Sequence, residues 1–234
     1  MYSFDSVVRY SEVDSEKTLT VGSVINYFQD CSVFQSESLN VGIEFLENKK
    51  RAWLLNSWQI TFEKDIKFLD KIKICTIPYE INGFMGLRNF YILNEAGEMA
   101  VKANSQWVYI DTESGKPTKV DSEASDAYEI EKKIDMDYVG RKIKVSGEQN
   151  EEDSFGVKKH HIDTNGHVNN GQYVKFACEY IPDDFKVKQL RVEYKNQARY
   201  GNIIYPVVYY SEETIIVSLN DENKKAYAVV EFKK

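Results

Sequence analysis

Apolar residues fall at helical spacing in one early stretch and gather into short β-type runs over most of the remaining first half. Val21, Val24, Ile25 and Phe28 make a stripe that Ser32 continues, which predicts a helix over 21–39 with Gly42 beyond its end. A short strand-type run at 7–10 precedes it. After it, 52–64, 72–80, 87–94 and 99–110 are rich in Trp, Ile, Val, Tyr and Thr and read as strands. Asn94-Glu95-Ala96-Gly97 predicts a tight turn between the last two.

The second half repeats this order. A strand-like run at 155–162 leads to a helix carrying Tyr173, Phe176, Ala177 and Tyr180 on one face, with Pro182 after its end. Strands follow at 189–197, 203–210, 214–219 and 226–232, with a turn at Asn220-Asp221-Glu222-Asn223. Through the first strand and helix the halves align at a constant offset: Val8 with Val157, Asp14 with Asp163, Val24 with Tyr173 and Tyr27 with Phe176, each 149 residues apart. Further on, Phe62 aligns with Tyr194 and Asp70 with Asn202, each 132 apart. A repeated order of elements is the mark of an internal duplication. The fold class expected is α+β, a tandem (double) hotdog in which each half wraps an antiparallel sheet around a long helix. The expected division is 1–125 for the first domain, 126–153 for a charged connector with some helix, and 154–234 for the second domain.

Composition narrows the partners. Hydrophobic residues are 42% and charged residues 29% of 234, which is globular composition. Thirty Lys and Arg against 37 Asp and Glu give a net charge of −7, which argues against broad binding to nucleic acid. No apolar run approaches the roughly 20 residues that span a bilayer. The odd cysteine count (Cys31, Cys75 and Cys178), without metal spacing or a signal peptide, predicts free thiols in a reducing, cytoplasmic setting.

Candidate chemistry is concentrated in His160-His161-Ile162-Asp163-Thr164-Asn165-Gly166-His167-Val168-Asn169-Asn170, which holds all three histidines of the chain. Asp163, Asn165 and His167 alternate, so an extended segment would point all three to one side. Gly166 permits a turn there, and Asn169 suits the cap of the following helix. A carboxylate, an amide and an imidazole beside a helix N-terminus suit activation of water and stabilisation of an oxyanion. The same spacing is served by a polar loop whose Asp and Asn side chains satisfy turns and a cap. The histidine spacing matches no metal site.

The run Asp163-x-Asn165-x-His167-Val168-Asn169-Asn170-x-x-Tyr173 resembles the signature of the acyl-ACP thioesterases, the plant-type enzymes and their bacterial relatives. The resemblance extends over nearly the whole chain, through 8–14, 53–60, 103–108 and Glu193-Tyr194 followed by Gly201. It implies hydrolysis of the thioester between a fatty acyl chain and acyl carrier protein in fatty acid biosynthesis, with no metal or organic cofactor. It maps the family's catalytic residues onto Asp163, Asn165 and His167. A further family carboxylate maps to position 197, where this chain has Gln197, which can orient water but cannot take its proton. Glu193 is the nearest carboxylate along that strand, about 13 Å away at strand rise. A cysteine once assigned to the family's mechanism maps to Ala198.

In the first half Glu16 and Thr18 replace Asn165 and His167, so that half would have lost its site and would line an acyl tunnel instead. Val24, Ile25, Phe28 and Trp58 are its candidates, with Asn169, Asn170 and Tyr173 on the catalytic side. Each of the apolar four also fits an ordinary core position. An acidic carrier protein would dock on local cations, among them Lys158, Lys159, Lys186, Lys188, Arg191, Lys195, Arg199 and Lys49-Lys50-Arg51. Two other readings compete, an acyl-CoA thioesterase of the same fold and a non-catalytic acyl-binding protein. The chain would work as a monomer or homodimer.

Overall fold

The early helical stripe forms α1 (Val21–Ser38) in the computed structural model, which describes residues 1–234. Val24, Ile25, Phe28, Cys31, Ser32 and Gln35 are buried along one face, as the helical repeat requires. Thr20 caps the start, its Oγ1 accepting from the Ser23 N–H at 3.2 Å. The helix stops short of Gly42, as expected, and Asn40 makes the turn just past its cap. Asn40 takes φ +59°, its N–H donates to the Glu37 carbonyl, and the Val41 N–H donates to the Ser36 carbonyl. Those paired bonds satisfy the last carbonyls of the helix. Gly42 precedes a short helix, α2 (Ile43–Lys49), that no periodic stripe announces.

The chain divides into two compact units, Met1–Asn56 with Thr61–Tyr138 and Ser57–Ile60 with Val139–Lys234. In the first, β1 (Tyr2–Val7), both ends of β2 (Arg51–Phe62), β3 (Lys71–Asn82), β4 (Met85–Leu93) and β5 (Met99–Asp111) lie in the order β1-β3-β4-β5-β2. β1 on β3, β3 on β4 and β4 on β5 are antiparallel. The β3–β4 register shifts between Pro78 and Glu80, where proline has no N–H to donate. α1 packs on β1 and β3, with the Phe28 ring 5.1 Å from that of Phe90. Gly86 lets the Trp53 ring approach, since a Cβ there would meet the ring at 3.0 Å. A one-and-a-half-turn helix, α3 (Ser122–Ala127), follows β5.

The first strand lies earlier than the 7–10 expected. Tyr2–Val7 pairs with β3, while Tyr10–Glu12 is a 3-10 turn held by the Glu12 carboxylate, which accepts the Arg9 N–H at 2.7 Å.

The second unit holds β6 (Glu148–Glu151), β7 (Phe155–Gly156), α4 (Asn170–Cys178), β8 (Gln189–Tyr194), β9 (Ile203–Tyr210), β10 (Thr214–Asn220) and β11 (Ala226–Lys233). Its order is β8-β11-β10-β9-β6, with β7 also on β9, and α4 packs on β10 and β11. Each unit is thus a helix laid on an antiparallel sheet, and the fold is a tandem hotdog. Its matching hairpin turns are built alike. Asn94 Oδ1 accepts from the N–H groups of Ala96 and Glu98, and Asp221 Oδ1 from those of Asn223 and Lys225.

The segment expected as a connector is taken up by both units. Asn89 Oδ1, wholly buried, accepts from the Ile134 N–H and the Tyr138 hydroxyl. Glu193 Oε2 accepts the Ile143 N–H at 3.1 Å, and Arg191 donates to the carbonyls of Gly140 and Lys142. These two charged strand residues hold chain and do not face solvent.

Candidate active site

The histidine-rich segment is a closed loop between Ile162 and Val168, which pair as an isolated antiparallel bridge. The Asp163 N–H donates to the His167 carbonyl at 2.8 Å and the Gly166 N–H to the Asp163 carbonyl at 3.1 Å. Asp163 Oδ1 accepts from the N–H groups of Asn165 at 2.8 Å and His167 at 3.4 Å. Gly166 turns the chain at φ +75°. The extended segment expected from alternation is therefore not formed, because the carboxylate captures two amides of its own loop. Asn165 sits exposed at the tip, while Asp163 and His167 are half-buried at the base.

Distant parts of the second unit fasten this loop. The Val168 N–H donates to the Ala198 carbonyl at 2.9 Å. Ala198, itself fully buried, donates its N–H to the Tyr173 hydroxyl at 2.8 Å. The Tyr194 hydroxyl donates to the Asn170 carbonyl at 3.0 Å. Asn169 caps α4 as expected, its Oδ1 accepting from the Gly171 N–H at 2.8 Å, and its own N–H donates to the His161 carbonyl. The locks made by Tyr173 and Tyr194 have no sequence signature, since each joins residues more than 20 positions apart.

β8 stops at Tyr194, short of the 197 expected, and Gln197 lies exposed in the segment beyond it. The backbone bond from Val168 to Ala198 brings that segment beside His167. The separation between Glu193 and Gln197 estimated from strand rise does not apply there. Glu193 is in any case committed: it is buried, holds the Ile143 amide, and lies 3.8 Å from Arg141 and 3.6 Å from Lys195.

His167 Nε2 is buried without a hydrogen-bond partner. Burial first, and the Arg199 guanidinium second, hold the imidazole below its ordinary range, while Asp163 pulls the other way. The ring is therefore neutral near pH 7, with a nitrogen ready to accept a proton. His161 differs: its Nδ1 accepts the Lys158 N–H at 3.0 Å, and its ring lies 4.8 Å from that of Phe176.

The first unit reproduces the backbone and carboxylate bonds of this loop. Asp14 Oδ1 accepts from the N–H groups of Glu16 and Thr18, both at 2.9 Å, and the Asp14 N–H donates to the Thr18 carbonyl at 2.9 Å. Leu19 donates to Ile66 as Val168 does to Ala198, and Val8 to Asp70 as Val157 does to Asn202, at the offsets 149 and 132 read in the sequence. What differs is the chemistry. Thr18 stands at the place of His167, and its Oγ1 accepts from Lys67 Nζ at 2.5 Å. Lys67 is the counterpart of Arg199, a pairing legible in the 132 offset.

Of the apolar candidates, Val24, Ile25 and Phe28 are buried on the face of α1 toward its sheet, and Trp58 is buried in β2. Cys31 and Cys178 are pushed up to about 12 by burial, so neither is a thiolate at neutral pH. Among the expected docking cations, Lys49, Lys50 and Arg51 pair with Glu123, Glu113 and Asp111, and Arg191 pairs with Glu231. Lys158, Lys159, Lys186, Lys188 and Arg199 are exposed. No group of three or more His, Cys, Asp or Glu side chains is gathered to hold a metal ion, and no helix is long and apolar enough to cross a membrane.

Known proteins share both frame and sequence. A solved acyl-ACP thioesterase from Bacteroides thetaiotaomicron superposes with a TM-score of 0.90 at 19% identity, covering 99% of this chain and 96% of that one. Oleoyl-acyl carrier protein thioesterase 1, chloroplastic, of Arabidopsis thaliana is 23% identical over 87% of this chain and 62% of its own length. An acyl-[acyl-carrier-protein] hydrolase, chloroplastic, of Cuphea viscosissima is 22% identical over 86% of this chain. The chain spans only 62% and 52% of the lengths of those two relatives. The family profile for the acyl-ACP thioesterase N-terminal domain matches residues 1–128, and that for the C-terminal domain matches residues 144–232, including the whole histidine loop. With both domain profiles in order along one duplicated frame, the chain belongs to the acyl-ACP thioesterase family.

Proposed function

We propose that this protein hydrolyses the thioester of a fatty acyl chain on acyl carrier protein, releasing free fatty acid and the carrier's thiol. The observation that carries this reading is the neutral, half-buried His167, whose Nε2 has no partner within the fold. In the reaction, water attacks the thioester carbonyl as Nε2 takes its proton. The tetrahedral oxyanion collapses, the C–S bond breaks, and the proton passes from His167 to the departing sulfur. Asp163 keeps the loop closed and stabilises the imidazolium that forms transiently. Asn165 and Gln197, both exposed beside this loop, orient the water. The N–H groups of Val168, Asn169 and Gly171 are already engaged, which leaves the Asn170 amide at the N-terminus of α4 for the oxyanion. The apolar face of α1, with Val24, Ile25 and Phe28, receives the acyl chain.

The carrier docks on the exposed Lys158, Lys159, Lys186 and Lys188, which complement an acidic partner. Three free cysteines suit a reducing compartment, and we assign the protein to the cytoplasm.

Gln197 favours a second reading, a protein that binds acyl chains without turning them over. Thiol release from acyl carrier proteins loaded with different chain lengths separates the two. Turnover in the wild type that His167→Ala abolishes supports hydrolysis. Bound acyl chains with no turnover at any length support the binding protein. Matched acyl-CoA substrates in the same assay identify the carrier.

A further inference from the structure

The two units differ most where their frames agree best. At the position of Thr18 and Lys67 the first unit closes a hydrogen bond from Nζ to Oγ1 at 2.5 Å. At the same position the second unit has His167 and Arg199, and there the imidazole Nε2 is left without a partner. A cation therefore stands at this place in both halves. In the first it is spent on a hydroxyl. In the second its counterpart is Arg199, and the imidazole at the place of the hydroxyl keeps Nε2 without a hydrogen bond from it.

The backbone that carries this cation is held in place. The Arg199 N–H donates to Asn202 Oδ1 at 2.7 Å, and the Asn202 N–H returns to the Arg199 carbonyl at 3.0 Å. One residue earlier, Ala198 is tied on one side to Val168 and on the other to the Tyr173 hydroxyl. Lys67 and Asp70 make the same turn, with the Lys67 N–H donating to Asp70 Oδ2 at 2.8 Å.

We infer that Arg199 is a positioning residue that keeps His167 as a neutral base by carrying a positive charge on the anchored turn beside the histidine loop. The inference rests on the hydrolase reading, in which His167 takes the proton. It also assigns a consequence to Gln197. A glutamate there would set a negative charge two residues from the guanidinium and offset it, whereas glutamine leaves the cation uncompensated.

The groups around His167 are few. Asp163 lies on its own loop and opposes Arg199. α4 contributes the Tyr173 phenol, which β11 backs with Tyr227. The 3-10 turn before the loop, Lys159–His161, holds His160 and follows Lys158, and both act on His161. Burial pushes the imidazole in the same direction as Arg199, so the guanidinium's share must be measured apart from it.

The chain has three histidines, so their ring-proton NMR signals can be titrated one by one, with His167 identified by its loss in His167→Ala. Wild type, Arg199→Gln and Arg199→Lys are compared at low salt. The expected result is that Arg199→Gln binds a proton at His167 about threefold more tightly. Arg199→Lys should stay near wild type, and the midpoints of His160 and His161 should not move. Added salt should narrow the difference, because Arg199 is exposed. An unchanged His167 midpoint in Arg199→Gln, or Lys behaving as Gln does, overturns the inference. The acid limb of thiol release from acyl carrier protein should follow the same order. Absence of turnover in the wild type would refute the hydrolase reading and leave the titration to decide the role of Arg199 by itself.

Discussion

Asp163 and Asp14 hold the same loop, and only one of them has an imidazole beside it, so the pair separates folding from chemistry. Each carboxylate accepts two amides, at 2.9 and 2.9 Å for Asp14 and at 2.8 and 3.4 Å for Asp163. A hydrogen bond to a charged group contributes about 1.5–3 kcal/mol net when well formed, and less where water competes. The loops are largely exposed, so Asp14→Ala should cost about 2 kcal/mol. Asp163→Ala should cost slightly less, about 1.5 kcal/mol, since its second bond lies at the long limit of useful geometry. Equilibrium urea unfolding reads these losses as a midpoint lowered by about 0.5–1 M. Asp163→Asn is the decisive variant. Its side-chain oxygen still accepts the loop amides, so stability should fall by less than about 1 kcal/mol, whereas thiol release should fall about 100-fold or more once the charge beside His167 is gone. Asp14→Asn should leave turnover unaffected. Asp14→Ala with wild-type stability would refute the hydrogen-bond accounting. Asp163→Asn with wild-type turnover would reduce Asp163 to a loop former.

Tyr173→Phe should strand the buried Ala198 N–H and cost about 1–3 kcal/mol, with faster amide exchange at Val168 and Ala198 by NMR. Cys31 and Cys178, both held at about 12, should resist iodoacetamide at pH 7.5 in the native protein and react once urea unfolds it, and Cys178→Ser should retain turnover. Arg88 is buried in the first unit without a carboxylate partner, donating to Gln35 Oε1 and Thr76 Oγ1 and lying 5.3 Å from the Tyr128 ring. Gln35→Leu should therefore destabilise by about 3 kcal/mol in urea unfolding, whereas Arg88→Met should cost less, about 1–2 kcal/mol, because it removes the buried charge and strands only the neutral Gln35 Oε1.

Much of the architecture was legible along the chain because the interactions behind it are local. The stripe of α1, the turns at Asn94 and Asp221, and the Asn169 cap each depend on residues within a few positions. The duplication was legible for the same reason, since Asp14 and Asp163 organise identical loops from their own neighbours. Local information failed where two local solutions compete. Asp163-x-Asn165-x-His167 fits an extended segment as well as a loop. The strand pairing of Tyr2–Val7 and the early end of β8 were decided by partners elsewhere in the chain.

The site's chemistry belongs to the tertiary structure. That Arg191 and Glu193 are committed to residues 140–143 and that Tyr173 holds Ala198 are contacts spanning 25 to 51 positions, and the charge of Arg199 acts on His167 through space. Sequence determined which groups exist and on which repeating frame they are strung. Only folding decided which of them are consumed by hydrogen bonds, which charges lie together and how dry the imidazole is, because burial and Coulomb interaction depend on distance in space.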